Sequence, residues 1–416
     1  VPPIRKLAPD VSSRIAAGEV IERPASVCKE LIENALDALA ERITVDVSEG
    51  GRSCIRVSDD GIGIRASDLP LAALNFSTSK ISSIEDISHI STLGFRGEAL
   101  ASIGAVSRLT ILSRSTEEEV GREMIWKDGV EVQDAPGARS RGTDVTVENI
   151  FGNLPARRKF LASPASEMRR INSLVQTYAL AFPAISFILR SEGSDLHSYP
   201  VSTIGERVEA VLGPQVYGHL RFFERRTGGT ALSGYISQPD LTRGNRGLQF
   251  FFVNRRAVKD RLLSHAVHQA YHALIPRERF PVLVLFLEMP HGDLDVNVHP
   301  AKSEVRFRNE RELHRFVFSS VREALESTGV SFEEKVHSVY QGIFPERQAP
   351  GRAEPEATGG DQISWMFKES PESLFEGEQQ PLVTTGKLYW QLHQSFILIQ
   401  IRGGVVIVDQ HAAHER

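Results

Sequence analysis

Cysteine is nearly missing from this chain, with only Cys28 and Cys54 in 416 residues. Two isolated thiols exclude a disulfide framework and a cysteine-based zinc site, and they suit a reducing cytoplasm. No apolar run approaches the ~18 residues that a membrane span needs. Behind Val1-Pro2-Pro3-Ile4-Arg5-Lys6 there is no apolar signal core. A Gly-Lys-Ser/Thr phosphate loop is absent, and Gly61-Ile62-Gly63 lacks the third glycine of a dinucleotide fingerprint. Neither sign of charge dominates. The net charge is -5, and the ten acidic and five basic residues of 331–388 carry all of it, so the remainder is neutral. Within that neutral part arginines cluster at Arg139 and Arg141, Arg157-Arg158-Lys159, Arg225-Arg226, Arg243 and Arg246, Arg255-Arg256, and Arg261. Local basic patches attract phosphate without a basic total, although each cluster reads equally well as solvated arginine.

The 41% hydrophobic and 24% charged content is that of a globular protein, and the length calls for two or three domains. Residues 1–210 alternate helix and strand signals. A helix with Pro24 in its first turn runs to about Ala40. Thr44 to Val47 alternates as a half-buried strand, and the turn signal at Glu49-Gly50-Gly51-Arg52 predicts antiparallel pairing with the strand that ends at Asp59. Strand signals return at Leu109–Leu112 and Asp144–Val147. Residues 211–330 read as a second unit. Gln249–Val253 and Val282–Leu287 are near-continuous apolar runs, as strands buried on both faces are. Helices are expected over Arg261–Leu274 and Glu310–Glu326. Between 331 and 388 five prolines, six glycines and an acidic excess make a disordered linker. From 389 a hairpin about Gly403-Gly404 reads as the opening of a further domain, because so few residues bury no core.

The segment that carries chemistry is Glu30-Leu31-Ile32-Glu33-Asn34-Ala35-Leu36-Asp37, followed by Asp59-Asp60-Gly61-Ile62-Gly63. Helical spacing puts Glu30, Asn34 and Asp37 on one polar stripe, with Leu31, Ala35 and Ala38 beside it. Glu30 is the candidate general base, since a carboxylate on a rigid helix takes a proton from water within about 3 Å. A lone glutamate is usually a solvated helix face; Asn34 one turn away and Asp59 a strand later weaken that reading. Asn34 offers an uncharged oxygen suited to Mg²⁺ held between protein, water and phosphate. Asp59, acceptor-only when ionised, matches the N6 amino group of adenine and repels the O6 of guanine. Gly61 and Gly63 let backbone approach a ligand, though such a turn is commonly only a turn. Gly94-Phe95-Arg96-Gly97-Glu98-Ala99-Leu100 precedes a helix start, where free amides bind anions, and Thr78-Ser79-Lys80 adds hydroxyls and a cation. The whole polar segment from Asn75 to Gly104 has the character of a mobile lid. Thr143 reads as a strand-start threonine able to donate to a base. Lys302 reads as a loop lysine that matters only if the second unit leans on the nucleotide. His411, His414 and Glu415 have metal-ligand residue types, with spacing as their sole support.

These stretches resemble the MutL family of DNA mismatch repair proteins, within the wider GHKL ATPase superfamily of gyrase-type topoisomerases, heat-shock chaperones and sensor histidine kinases. The resemblance is carried by Ile15-Ala16-Ala17-Gly18-Glu19-Val20-Ile21-Glu22-Arg23-Pro24, Lys29-Glu30-Leu31, Thr78-Ser79-Lys80-Ile81, Leu93 to Ile103, Phe151-Gly152-Asn153-Leu154-Pro155-Ala156-Arg157-Arg158-Lys159-Phe160-Leu161, and Asp295 to Lys302. It implies an α+β fold, a two-layer α/β sandwich with a mostly antiparallel sheet, followed by a second α/β domain with a left-handed crossover. Implied too is an ATPase using ATP and Mg²⁺. Glu30 maps onto the base, Asn34 onto the Mg²⁺ ligand and Asp59 onto the adenine partner. Gly63, Thr78, Ser79, Lys80, Gly94, Phe95, Arg96, Gly97, Glu98, Ala99, Leu100 and Thr143 map onto the nucleotide shell and lid, Lys302 onto a second-domain lysine at the γ-phosphate, and Arg261 onto a DNA contact. Arg157, Arg158 and Lys159 are added as DNA-binding candidates.

The implied role is a cytoplasmic clamp that dimerises with a second copy on ATP, binds DNA and couples a mismatch-bound MutS partner to excision. The alternative is a latent nicking endonuclease with a regulatory ATPase. Asp409, His411 and Glu415 resemble the first part of its metal-binding motif, which would take Mn²⁺ or Zn²⁺ in a complete C-terminal domain; that activity is not expected of these 416 residues. Three departures from the family pattern stand out. Leu39 replaces a glycine, Asp60 an asparagine, and Phe76-Ser77 a His-Ala pair.

Overall fold

Alternation in the first strands decides which side chains meet the helices above them. The computed structural model describes residues 17–18, 20–80, 92–94, 97–295 and 305–327, together with the backbone of 389–392, 396–401 and 404–409. Two compact units divide it, Val1–Glu346 and Arg347–Arg416. Among the described residues no helix is long and apolar enough to cross a membrane.

Eight strands form the first sheet: β1 (Arg42–Ser48), β2 (Cys54–Asp59), β3 (Arg108–Arg114), β4 (Gly121–Lys127), β5 (Val130–Gly137), β6 (Gly142–Glu148), β7 (Ser186–Ser191) and β8 (Ser194–Tyr199). Their order is β5-β4-β3-β6-β2-β1-β7-β8. Every pairing is antiparallel except β1 with β7. The expected hairpin forms with Val45 opposite Val57. Period-2 burial puts Ile43, Val45 and Val47 of β1 and Ile55 and Val57 of β2 on one buried face. Helix α1 (Pro24–Asp37) covers that face with Val27, Leu31, Ile32 and Ala35. The helices α2 (Ala99–Ala105), α3 (Pro155–Phe160) and α4 (Pro164–Ala181) follow. Ile171, Val175 and Ala179 of α4 complete the core.

Helix α5 (Ile204–Leu212) leads to a five-stranded sheet. Its strands are β9 (Leu220–Thr227), β10 (Thr230–Ser237), β12 (Gln249–Val253), β13 (Arg256–Val258) and β15 (Leu283–Glu288), in the order β13-β12-β15-β10-β9. Two-residue ladders pair β11 (Thr242–Arg243) with β14 (Phe280–Pro281) and β16 (Leu294–Asp295) with β17 (Arg306–Phe307). The two apolar runs are parallel neighbours, β12 and β15, joined through helix α6 (Arg261–Tyr271). Each is buried on both sides. Phe251, Val253, Leu283 and Leu285 join a core with α6 and α7 (Glu310–Glu326), whereas Phe252, Val282 and Val284 join Leu180, Ala181 and Val208 of α4 and α5. That double burial is why the sequence shows no alternation there. Arg207 of α5 is the largest fully buried side chain, its guanidinium donating to the carbonyls of Ala179, Pro183, Ile185 and Pro200. In the other unit β18 (Tyr389–Leu392), β19 (Phe396–Ile401) and β20 (Gly404–Asp409) form a sheet that contains the expected hairpin. The proposed linker 331–388 lies outside the described residues.

Helix α1 stops earlier than Ala40, and Leu39 is the reason. Ala40 N–H donates to Ala35 O at 3.1 Å and Leu39 N–H to Leu36 O at 3.1 Å, the paired bonds of a Schellman end. That motif needs left-handed backbone after the cap, and Leu39 adopts it with φ 59°. Its side chain is 73% exposed, so no packing offsets the strain. Leu39→Gly is therefore expected to raise the unfolding free energy by about 1 kcal/mol, read as a higher urea midpoint at unchanged m. A lower midpoint would mean that the leucine contributes contacts absent from this fold.

Candidate nucleotide site

Three neighbouring strands change character at one end of the first sheet. The buried row Ile55-Val57 of β2 continues to Asp59, the row Val147-Val145 of β6 to Thr143, and the row Leu109-Ile111 of β3 to Ser113. Asp59 pairs with Thr143, and Thr143 with Ser113, so the three polar groups lie side by side under the helical layer. The Thr143 and Ser113 hydroxyls are 2.9 Å apart. The chain then turns through Gly61, whose N–H donates to Asp59 Oδ1 at 2.9 Å. A Cβ on Gly61 would lie 2.5 Å from Ala38 O, so only glycine lets this turn seat against the end of α1. Gly63 has φ 75° and packs on the backbone of Arg114. Asp60 faces the other way: its Oδ1 accepts from the N–H groups of Glu41 and Arg42, both at 2.8 Å.

Burial pushes the Asp59 carboxyl up to about 6, against the Gly61 N–H and the Arg139 charge that favour ionisation. Arg139 is largely enclosed. It donates to Asp59 O at 2.6 Å and pairs with Asp144 at 3.0 Å, while Arg141 donates to Asp60 O at 3.1 Å. This pair of arginines, which the sequence offers as a phosphate-attracting patch, instead holds the Asp59–Asp60 turn in place.

The polar flank of α1 gathers the rest. Asp37 accepts from Leu93 N–H at 2.8 Å and Gly94 N–H at 3.0 Å, which ties the glycine-rich segment to the helix end. Lys80 Nζ lies 2.5 Å from Asp37 Oδ2 and 3.0 Å from Asn34 Oδ1. One amide oxygen and one carboxylate oxygen thus converge on a cation. Among the described residues no three His, Cys, Asp or Glu side chains group as a metal cluster. A metal beside Asn34 would therefore draw its further ligands from phosphate and water. Glu30 Oε1 lies 3.2 Å from Lys29 Nζ.

Sequence reasoning missed two members of this region. Glu33, only 6% exposed, accepts from Tyr178 Oη of α4 at 2.7 Å. Arg256 of β13 donates to Thr92 O at 2.5 Å, and burial holds its guanidinium below the ordinary arginine range, offset in part by Glu33 and Asp37. Nothing in the sequence singled out Glu33, and Arg256 stood only as one of a clustered pair of arginines.

The other candidates are dispersed. Thr78 and Ser79 are exposed. Gly97, with φ 62°, packs on the backbone of Ser77; Glu98 stands at the N-cap position of α2 without a side-chain capping bond, and Ala99 and Leu100 form its first turn. Phe76 takes φ 63° with its ring 79% exposed. The Arg157 guanidinium fills the space over Gly18 and lies 5.9 Å from the Phe151 ring centroid. Lys159 and Arg261 are exposed, and Arg158 is half-buried. Asp409 closes β20. Phe95, Arg96, Lys302, His411 and Glu415 lie outside the described residues.

Known proteins match along this architecture. The model of histidine kinase-, DNA gyrase B- and HSP90-like ATPases matches residues 22–140, and that of the DNA mismatch repair protein C-terminal domain matches 208–326. The DNA mismatch repair protein MutL of Coxiella burnetii (strain CbuG_Q212) is 39% identical over 433 residues, covering 99% of this chain and 72% of the relative. This chain belongs to the MutL family. MutL of Cellvibrio japonicus is 38% identical over 99% of the chain and 74% of its own length. Among solved structures, the Aquifex aeolicus MutL ATPase domain complexed with ADP has a TM-score of 0.50 at 31% identity, covering 65% of this chain and 93% of that one. The N-terminal domain of a DNA repair protein has a TM-score of 0.67 at 26% identity, covering 77% and 99%. The mixed α/β fold is thus that of a MutL ATPase domain, and the chain is a DNA mismatch repair protein carrying a GHKL-type ATPase domain.

The Asp59 carboxyl sets a test that does not depend on nucleotide. It binds its proton more tightly in the folded chain than in the unfolded one. Its stabilising contribution is therefore complete below about pH 4 and is lost as pH rises through about 6. The difference is on the order of 3 kcal/mol. Asp59→Asn should gain stability relative to the parent as pH climbs from about 4 to about 7, in urea unfolding across that range. Parallel pH profiles would show an ordinary carboxyl.

Proposed function

We propose that this MutL-family protein binds and hydrolyses ATP at the end of helix α1 and uses the cycle to clamp DNA during mismatch repair. The carrying observation is the meeting of Asn34 and Asp37 of α1 with Lys80 and the Gly94 backbone, at the end of the helix on which the turn after buried Asp59 is seated, with Glu30 on the same helical stripe. Asp59 accepts from the adenine amino group, with Thr143 beside it. Gly63 keeps the turn open. Thr78, Ser79, Lys80 and the run Gly94 to Leu100, with Phe95 and Arg96, form the phosphate shell and lid. Lys302 of the second domain supports the γ-phosphate. Asn34 would hold Mg²⁺, and the Lys80 ammonium that meets its Oδ1 and Asp37 supports a cation there. Mg²⁺, when bound, offsets phosphate charge. Glu30 takes the proton of the attacking water.

Domains follow the same reading: 1–210 for the ATPase, 211–330 for the second domain, 331–388 for the linker, and 389–416 for the start of a C-terminal domain. ATP favours a closed dimer of two copies because it binds the closed state more tightly than the open one. DNA lies along Arg261 and Arg157-Arg158-Lys159, and a MutS-type protein in the cytoplasm delivers the mismatch signal.

Glu30→Ala should lower kcat by at least about 100-fold with ATP affinity retained, compared by phosphate release and equilibrium nucleotide binding. Turnover near the parent's would remove Glu30 from the base role. DNA affinity should fall steeply with salt, and Arg261→Ala should reduce the log–log slope by about one, equally for unrelated duplexes, by fluorescence anisotropy. Salt-insensitive binding would exclude phosphate contacts as its source.

A further inference from the structure

Neighbours in sequence do not share a helix face, yet Lys29 reaches the side chain of Glu30. Its ammonium lies between two carboxylates, 3.2 Å from Glu30 Oε1 and 2.9 Å from Glu33 Oε1. The second contact joins residues four apart, the ordinary helical ion-pair spacing, which on an open surface contributes only about 0.3–0.5 kcal/mol. This one is not on an open surface. The Glu33 side chain is 8% exposed, and the oxygen that meets Lys29 also accepts from Tyr178 Oη at 2.7 Å. Glu33 Oε2 is buried without a hydrogen-bond partner among the described residues. A buried carboxylate with an unused acceptor is costly unless positive charge stays with it. Lys29 supplies that charge from the same helix, and Arg256 faces Glu33 from the second sheet. Glu30 and Glu33, three apart on one helix, would otherwise repel.

We propose that Lys29 is a positioning residue for Glu30: Tyr178 anchors Glu33, Glu33 anchors the ammonium, and the ammonium sets the direction of the Glu30 carboxylate. This rests on the reading of Glu30 as the base. The anchor is rigid where the anchored group is not. Tyr178 is buried in α4, whereas the Glu30 side chain is 23% exposed and takes its polar contact from Lys29. Misplacing a reacting group by about 1 Å costs about 100-fold in rate, so loss of the tether acts on the chemical step and leaves ATP binding to Asp59 and the phosphate shell.

The test is steady-state ATPase kinetics on the full chain, with Glu30→Gln as reference. Lys29→Met should lower kcat about 10- to 100-fold with KM for ATP held within about threefold, and Lys29→Arg should restore most of the loss. Tyr178→Phe, which keeps the ring in the core, should lower kcat less, by about three- to tenfold, again at constant KM. It also serves if Lys29→Met fails to fold. An unchanged or increased kcat in Lys29→Met overturns the proposal. So does a loss that Lys29→Arg leaves unrepaired and that follows a fall in thermal midpoint. Full turnover in Glu30→Gln overturns the base reading instead, whatever the lysine variants do.

Discussion

Helix α1 must satisfy two demands with one orientation. Val27, Leu31, Ile32 and Ala35 are sealed against the first sheet, and that burial sets the rotation of the helix about its axis. With the rotation set, Glu30, Asn34 and Asp37 emerge on a single flank, where Asn34 and Asp37 meet Lys80 and the Gly94 backbone. A slip of one residue turns a helix by about 100° and would carry carboxylates into the core, where unpaired charge costs several kcal/mol. Apolar packing, not the polar groups themselves, is what aims these side chains. The Schellman end adds the second fixed point, since Ala38 O both terminates the helix and accepts from Ile62 N–H at 2.9 Å.

Asp37 then acts as the junction. Two backbone N–H groups, at Leu93 and Gly94, and the Lys80 ammonium all use its carboxylate. Arg256 reaches the same neighbourhood from β13 and grips Thr92 O. The second sheet therefore bonds the residue that leads into the glycine-rich segment, and the Arg256 charge acts on Glu33 and Asp37 of α1. Cations are distributed with the same economy. Arg139, enclosed, and Arg141, exposed, both bond carbonyls of the Asp59–Asp60 turn and Arg207 bonds four carbonyls, while Arg261 and Lys159 remain at the surface.

Much of the frame was legible in the residues alone. Alternation in Thr44–Val47 and Asp144–Val147, the turn at Gly50-Gly51, and the near-continuous apolar runs at Gln249–Val253 and Val282–Leu287 reflect burial that each strand experiences locally. Helix α7 runs over Glu310–Glu326 as its periodicity predicts. Glu30, Asn34 and Asp37 share a flank because helical geometry alone requires it. Other features had no local trace. Tyr178 is 145 residues from Glu33, and Arg256 is 164 from Thr92. No spacing rule reaches that far. Leu39 gave the opposite difficulty. Leucine favours helix, and only the demand of the following turn for left-handed backbone stops α1 where it stops.

The sequence by itself determined the period of each element, the family motifs, and which residue types stand where nucleotide chemistry needs them, because those depend on neighbours within a few positions. Tertiary structure decided which charges are neutralised and by whom. It placed Asp59 in a desolvated row beside Thr143 and Ser113, turned Arg139 inward, and brought Lys29, Glu33, Tyr178 and Arg256 together. Charge is settled by distance and by exclusion of water, and both exist only once distant segments have packed.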